Sequence, residues 1–389
     1  MKILHGIEKI VLCLSGLIPR KKDLWVFGAW DGRLFADNSK YLFEFVNNQH
    51  PEINAVWITK DEKVRQEIET KGYICYLRSS IKGIIYAIRA EVAFITSDER
   101  GDISRFVNRK RTTVIELWHG IAPKGMKWSA DYNSPVFRKR FQQYYWMASS
   151  LKYQEIFEEN LQINPEKFFI TGYPRNDTFI TKPKNIMVER IIQENSEKKL
   201  VIYMPTHRNY GKKPIDISEF PQINDRLKEN NIIMVYKPHF NELKNISENN
   251  SQLSNIIIAK EQNIWGDVYS YIHYFDLLIS DYSSIVYDFL CADKPIVLYT
   301  YDIEYMKTND FGIMDYFETI PPGPFCKSWA ETLDQTIKLL EKDTWHEKRN
   351  QCREMFHPFK DGRNAERVYK VTTQNILKRE KKTKDGNAK

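Results

Sequence analysis
The chain has 389 residues, room for two or three domains at about 150 residues each and for a sizeable core without disulfide or metal staples. Apolar residues make up 42% and charged residues 28%, which excludes disordered and collagen-like chains, while an aromatic share of 13% points to aromatic-rich cores and stacking surfaces. The net charge of +7 is spread along the chain, apart from Arg20-Lys21-Lys22, Arg109-Lys110-Arg111 and the tail Lys378 to Lys384. That bias fits an anionic partner such as a nucleotide, a phosphorylated substrate or an anionic lipid surface; a duplex-binding protein would concentrate it, so no nucleic-acid partner is expected.

Cys13, Cys75, Cys291, Cys326 and Cys352 are far apart and form no CxxC or Cys/His cluster. Neither a disulfide framework nor a bound metal is expected, and a reducing compartment is the simplest reading. In residues 1–22, Ile3, Ile7, Ile10, Leu14 and Leu17 recur at helical spacing, with Lys2, His5, Glu8 and Lys9 opposite and Arg20-Lys21-Lys22 following. The apolar stretch is shorter than the roughly 20 residues of a membrane span, and no cleavage site follows it. Two readings stand: an amphipathic helix lying in a membrane interface, or one packed on its own domain.

Next, Leu24 to Phe27, Ala55 to Ile58, Ile74 to Tyr76, Val92 to Thr96 and Thr113 to Leu117 read as strands. Helical stretches at Ser39 to Val46, Asp61 to Lys71 and Ile81 to Ala90 separate them. The pattern restarts with Leu200 to Met204, Ile232 to Tyr236, Ile256 to Ile258, Leu277 to Ile279 and Ile296 to Leu298. Strands alternating with helices imply parallel sheets of βαβ units. The expected architecture is α/β: two doubly wound, Rossmann-like halves (23–190 and 191–375) facing across a cleft, then a disordered basic tail at 376–389.

The polar motifs fall where strands end, the place where open α/β sheets bind ligands. Trp118-His119-Gly120 closes one strand; a histidine there can take a hydroxyl proton at neutral pH, or simply be bonded into a turn. Pro205-Thr206-His207-Arg208 and Lys237-Pro238-His239 end neighbouring strands of the second half. Arg208 offers a planar fork of donors to phosphate, and Lys237 and His239 offer charge and further donors; the bland alternative is solvated loop charge. In Ser280-Asp281-Tyr282-Ser283-Ser284, a buried strand meets a Ser-rich turn and a helix start, where backbone N–H groups and the two last hydroxyls would suit a diphosphate. Asp288, a turn further on, would take sugar hydroxyls. An ordinary helix cap is the alternative.

These motifs, in order with Asp37-Asn38-Ser39-Lys40-Tyr41, Gly172-Tyr173-Pro174-Arg175-Asn176-Asp177 and Asp361-Gly362, resemble the CDP-glycerol glycerophosphotransferase family of teichoic-acid primases, polymerases and capsule enzymes. The resemblance spans roughly Leu24 to Val368. It implies a GT-B-like fold with an acceptor-side first half and a nucleotide-binding second half. It also implies transfer of glycerol phosphate or a related polyol phosphate from a CDP-activated donor to a lipid-linked or polymer acceptor, without a cofactor. The enzyme would be peripheral, on the cytoplasmic face of a bacterial membrane. Carried over by position, the resemblance implies His119 as the base, assisted by His239, and places Arg208, His239, Ser283 and Ser284 on the diphosphate. Thr206, Lys237, Ser280, Asp281, Tyr282 and Asp288 complete the expected donor site; Trp118, Gly120 and Lys124 are expected on the acceptor side. The segment after Gly120 reads Ile121-Ala122-Pro123-Lys124, where the family commonly has Thr-Pro-Leu-Lys, so acceptor identity stays open. A GT-B glycosyltransferase or nucleotide-sugar epimerase, and a non-catalytic nucleotide-binding protein at the membrane, are the rival readings.

Overall fold
The structure is a computed structural model that describes residues 18–125, 135–208, 217–238, 253–259, 265–308 and 312–386. Residues 1–17, and with them most of the expected amphipathic helix, lie outside this set, as does His239. The described residues divide into two compact units, one from 1–119, 128–177 and 361–389, the other from 120–127 and 178–360.

Unit 1 is built on β1 (Lys21–Phe27), β2 (Asn54–Thr59), β3 (Cys75–Leu77), β4 (Ala90–Ile95), β5 (Thr113–Glu116), β6 (Tyr145–Ala148) and β7 (Phe168–Ile170). They pair in parallel in the order β3-β2-β1-β4-β5-β6-β7. A parallel sheet is covered on both faces, so its strands read as unbroken apolar runs; all six residues of β4 are buried. The aromatic share of the composition is spent here: Phe27 stacks on Phe94 at 4.8 Å, and Phe43 and Trp57 meet edge-on at 5.5 Å. Each such ring contributes about 1.5–3 kcal/mol by burial.

Unit 2 carries β8 (Lys199–Met204), β9 (Ile232–Tyr236), β10 (Ile256–Ile258), β11 (Leu277–Ser280), β12 (Ile296–Tyr299) and β13 (Phe325–Cys326), again parallel, in the order β10-β9-β8-β11-β12-β13. Tyr203, Tyr236 and Trp329 form its aromatic centre, with Tyr203 and Tyr236 stacked at 5.4 Å. The strand order reverses between β1 and β4 in unit 1 and between β8 and β11 in unit 2. At such reversals loops diverge and leave a crevice beyond the carboxyl ends.

Three features depart from the sequence expectation. β6, β7 and β13 are strands of two to four residues that the sequence reading does not contain. The chain returns to unit 1 at Asp361, ahead of the expected limit at 375, since Asn364, Ala365 and Val368 of the helix Asn364–Lys370 are buried there. The basic tail expected to be disordered from 376 instead forms the helix Leu377–Gly386: Ile376 and Leu377 join the unit-1 core, and Glu380 accepts from the Tyr145 hydroxyl at 2.7 Å. Among the described residues, no helix is long and apolar enough to cross a membrane.

Candidate active site
In unit 1 the polar motifs assemble around His119, one strand from the reversal point. β5 ends at Glu116 and the chain turns through Trp118, which adopts φ +58°, then Gly120 at φ +122°, a value that suits glycine. A non-glycine residue in the left-handed region costs energy and is held there by its surroundings. The holding groups are Glu116, whose Oε1 accepts the Trp118 N–H at 2.8 Å, and Asn38, whose Nδ2 donates to the Trp118 carbonyl at 2.9 Å. Asn38 lies at the start of the helix Asp37–Gln49. Arg175 adds a third bond, Nη1 donating to the His119 carbonyl at 3.0 Å while pairing with Asp37 at 2.6 Å; both side chains of this pair are buried. The Asp37-Asn38 and Pro174-Arg175 motifs therefore meet on the backbone of the Trp118-His119 turn.

The imidazole itself is fixed by a backbone atom. His119 Nδ1 lies 2.8 Å from the Thr96 carbonyl, and a carbonyl only accepts, so Nδ1 carries the proton and Nε2 is left with its lone pair. Trp118 stacks on the ring at 4.3 Å, and the exposed Trp30 stands 6.1 Å away on its own left-handed turn. Burial lowers the imidazole pKa, against the opposing pull of the Thr96 bond and Asp37. A neutral base with Nε2 open is the form a hydroxyl deprotonation requires. Thr96 is held in turn by Asp102, a buried carboxylate that accepts from the Thr96 and Ser97 N–H groups at 2.8 and 3.0 Å.

Sequence reasoning found His119, and found Asp37, Asn38 and Arg175 only as parts of motifs. It missed Thr96, which acts through its carbonyl and leaves no side-chain signature, and Glu116, which reads as one more residue of an apolar strand.

In unit 2 the loops after β8 and β11 interlock at the reversal point. Asp281 accepts from the Thr206 N–H at 2.9 Å and hydroxyl at 2.6 Å, and the Ser280 hydroxyl donates to the Met204 carbonyl at 2.6 Å. Arg208 is engaged within the unit. Its guanidinium is 1% exposed, pairs with Asp281 at 2.8 Å and Asp302 at 2.8 Å, and donates to the Thr206 carbonyl at 2.7 Å. The fork expected to grip phosphate is already occupied, because two carboxylates converge on it. Tyr282, 2% exposed, donates to Asp302 at 3.1 Å, so Asp302, four residues beyond the expected strand, joins a network the motifs did not contain.

Asp288 is also turned inward, 1% exposed and accepting from the Tyr269 hydroxyl at 2.8 Å. Ser280, Asp281 and Tyr282 are likewise buried and brace the turn from behind. Thr206, Lys237, Ser283 and Ser284 are the expected donor residues that remain half-exposed. The helix after Ser284 is only five residues long, Ile285–Phe289, so the turn offers hydroxyls and local N–H groups and little dipole. Burial presses the Lys237 ammonium below its ordinary pKa, opposed by Asp267, and a bound anion beside it would favour the charged form. Lys124, expected on the acceptor side of the first half, belongs to unit 2, where it bridges Ile313 in antiparallel fashion. Among the described residues, no group of three or more His, Cys, Asp or Glu is placed to hold a metal ion.

Three comparisons bear on this geometry. The family model described as CDP-glycerol:poly(glycerophosphate) glycerophosphotransferase matches residues 11–374. The chain is 25% identical over 361 residues to the teichoic acid poly(glycerol phosphate) polymerase of Bacillus spizizenii W23, covering 87% of this chain and 88% of that protein. It is 23% identical over 389 residues to the teichoic acid glycerol-phosphate transferase of Staphylococcus aureus, covering 94% and 96%. In fold it is similar to the wall teichoic acid polymerase TagF, with a TM-score of 0.76 at 18% identity over 97% of this chain and 96% of that one.

Proposed function
Because the chain belongs to the CDP-glycerol:poly(glycerophosphate) glycerophosphotransferase family, we propose that it transfers glycerol phosphate from CDP-glycerol to a hydroxyl of a lipid-linked or polymer acceptor in teichoic-acid or capsule synthesis, releasing CMP. The observation that carries the reading is the His119 ring, with Nδ1–H donating to Thr96 and Nε2 open. Nε2 takes the acceptor proton as the acceptor oxygen attacks the phosphorus that bears glycerol. The bond from that phosphorus to the bridging oxygen breaks, and CMP leaves with the bridging oxygen. In unit 2, the Ser283 and Ser284 hydroxyls, Thr206 and the Lys237 ammonium bind the donor diphosphate, joined by His239. Arg208, Asp281 and Asp302 hold that turn in shape. Such a reaction is carried by positioning and electrostatics. Residues 1–22 lie on an anionic membrane surface at its cytoplasmic side, which keeps the enzyme peripheral and near a lipid-linked acceptor.

The test is product analysis. Purified enzyme is incubated with CDP-glycerol, CDP-ribitol or UDP-sugars and a panel of lipid-linked acceptors, then examined by mass spectrometry. The proposal expects CMP and an acceptor heavier by one or more glycerol phosphates. UMP or UDP with a sugar-extended acceptor would replace it with a glycosyltransferase, and a ribitol phosphate increment would change the donor.

A further inference from the structure
We propose that Glu116 is a positioning residue for the transfer: by accepting the Trp118 N–H, it fixes the left-handed turn that presents His119 with Nε2 open. The inference rests on the functional reading of His119 given above.

Glu116 is the last residue of β5 and is fully buried. Its Oε1 makes the 2.8 Å bond to Trp118, and its Oε2 has no hydrogen-bond partner. Among the described residues, no cation pairs with it. The charged groups facing it are carboxylates: Asp102 on the loop after β4, Asp98 on the same loop, and Asp37 at the helix start. Two of these carboxylates have cations of their own, Asp98 pairing with Arg140 at 2.8 Å and Asp37 with Arg175 at 2.6 Å. A desolvated carboxylate among other carboxylates, with one oxygen unbonded, is far costlier than the neutral acid. Burial first and Asp102 second push its pKa well above the ordinary carboxylate range. Oε1 is the accepting oxygen, and the upward shift disfavours a negative charge behind the base, which would raise the imidazole pKa.

A glutamate that is only structural would accept replacement at no cost to the histidine. A positioning acid makes a different pattern. Glu116→Gln keeps an accepting oxygen and the neutral state; Glu116→Ala leaves the Trp118 N–H unpaired and frees the turn. The experiment labels the histidines with ¹⁵N and follows His119 by NMR through a pH titration in wild type and both variants, alongside CMP release from CDP-glycerol. The expected result is an unchanged His119 midpoint and tautomer in Glu116→Gln, with turnover within about twofold of wild type. In Glu116→Ala the Nδ1–H tautomer gives way to a mixture and kcat falls on the order of 10²-fold, as for a reacting group displaced by about an ångström, with KM for CDP-glycerol unchanged. A wild-type His119 spectrum and near-normal kcat in Glu116→Ala would mean that Glu116 positions nothing, and a loss of the Nδ1–H tautomer in Glu116→Gln as large as in Glu116→Ala would mean that the accepted Trp118 bond is not what fixes the ring. Either overturns the proposal. If wild type releases no CMP, the functional reading fails by itself, and the NMR arm still decides the role of Glu116.

Discussion

At the scale of single residues, a backbone carbonyl and two buried carboxylates decide what the two most legible side chains do. His119 stands out by residue type and strand-end position, but what fixes its ring is the Thr96 carbonyl on its Nδ1, which no side-chain motif announces. Arg208 also stands out, and its position between the loops after β8 and β11 is foreseeable. Its partners are not, because Asp281 reads as part of a ligand turn and no motif marks Asp302. Breaking a buried ion pair by removing one partner leaves an uncompensated charge, worth about 3–5 kcal/mol. Arg208→Ala strands two such carboxylates, so a drop in thermal stability of that order is expected, together with loss of CDP-glycerol binding as the turn deforms. Arg208→Lys recovers part of both, since an ammonium cannot serve Asp281, Asp302 and the Thr206 carbonyl with one planar fork. Calorimetric melting of the three proteins checks this; an Arg208→Ala protein that melts like wild type while losing only donor affinity would restore the direct phosphate contact.

At the scale of elements, β-branched composition between polar turns governs what can be read. β9 and β10 match their expected limits, Ile232–Tyr236 and Ile256–Ile258, because both are compact β-branched runs bounded by polar turns. β6 and β7 escape because Tyr145–Ala148 and Phe168–Ile170 are short and adjoin helices of similar composition; their pairing partners, distant in sequence, make them strands. The C-terminal helix escapes for a related reason. Its lysine-rich sequence predicts disorder, and only the tertiary contacts of Leu377 and Glu380 with unit 1 override it. At the other end, the residues just after the amphipathic segment are tied to the amino ends of β4 and β5. Arg89 Nε donates to the Pro19 carbonyl at 3.1 Å and Arg111 Nη1 to the Ile18 carbonyl at 2.9 Å. Arg20, Lys21, Lys22, Lys110 and their neighbours give that end a basic character, and each cation near an anionic bilayer adds about 1 kcal/mol of attraction. Deleting residues 1–17 is expected to shift the protein from sedimented vesicles of anionic phospholipid to the supernatant, with the residual binding lost at high salt. Unchanged sedimentation at high salt would place the anchor elsewhere in the chain.

At the scale of the whole molecule, two parallel sheets each deliver their polar residues to a reversal point: β1, β4 and β5 around His119 in unit 1, β8 and β11 around Asp281 in unit 2. That division of labour was readable from strand-end motifs, because sheet topology sends every βα loop to the same edge. Which motif residues face outward was not, since burial depends on packing partners, and Arg208, Asp281, Tyr282 and Asp288 all proved to be buried. The central claim is that His119 is the base and that the donor is bound by the other unit. A positioned base is worth on the order of 10² to 10⁴ in rate. The most direct measurement pairs CMP release with calorimetric CDP-glycerol binding for wild type and His119→Ala. The account predicts that turnover falls by that factor while the dissociation constant for CDP-glycerol stays within about twofold. Near-normal turnover in His119→Ala, or a loss of activity matched by loss of donor binding, would contradict it.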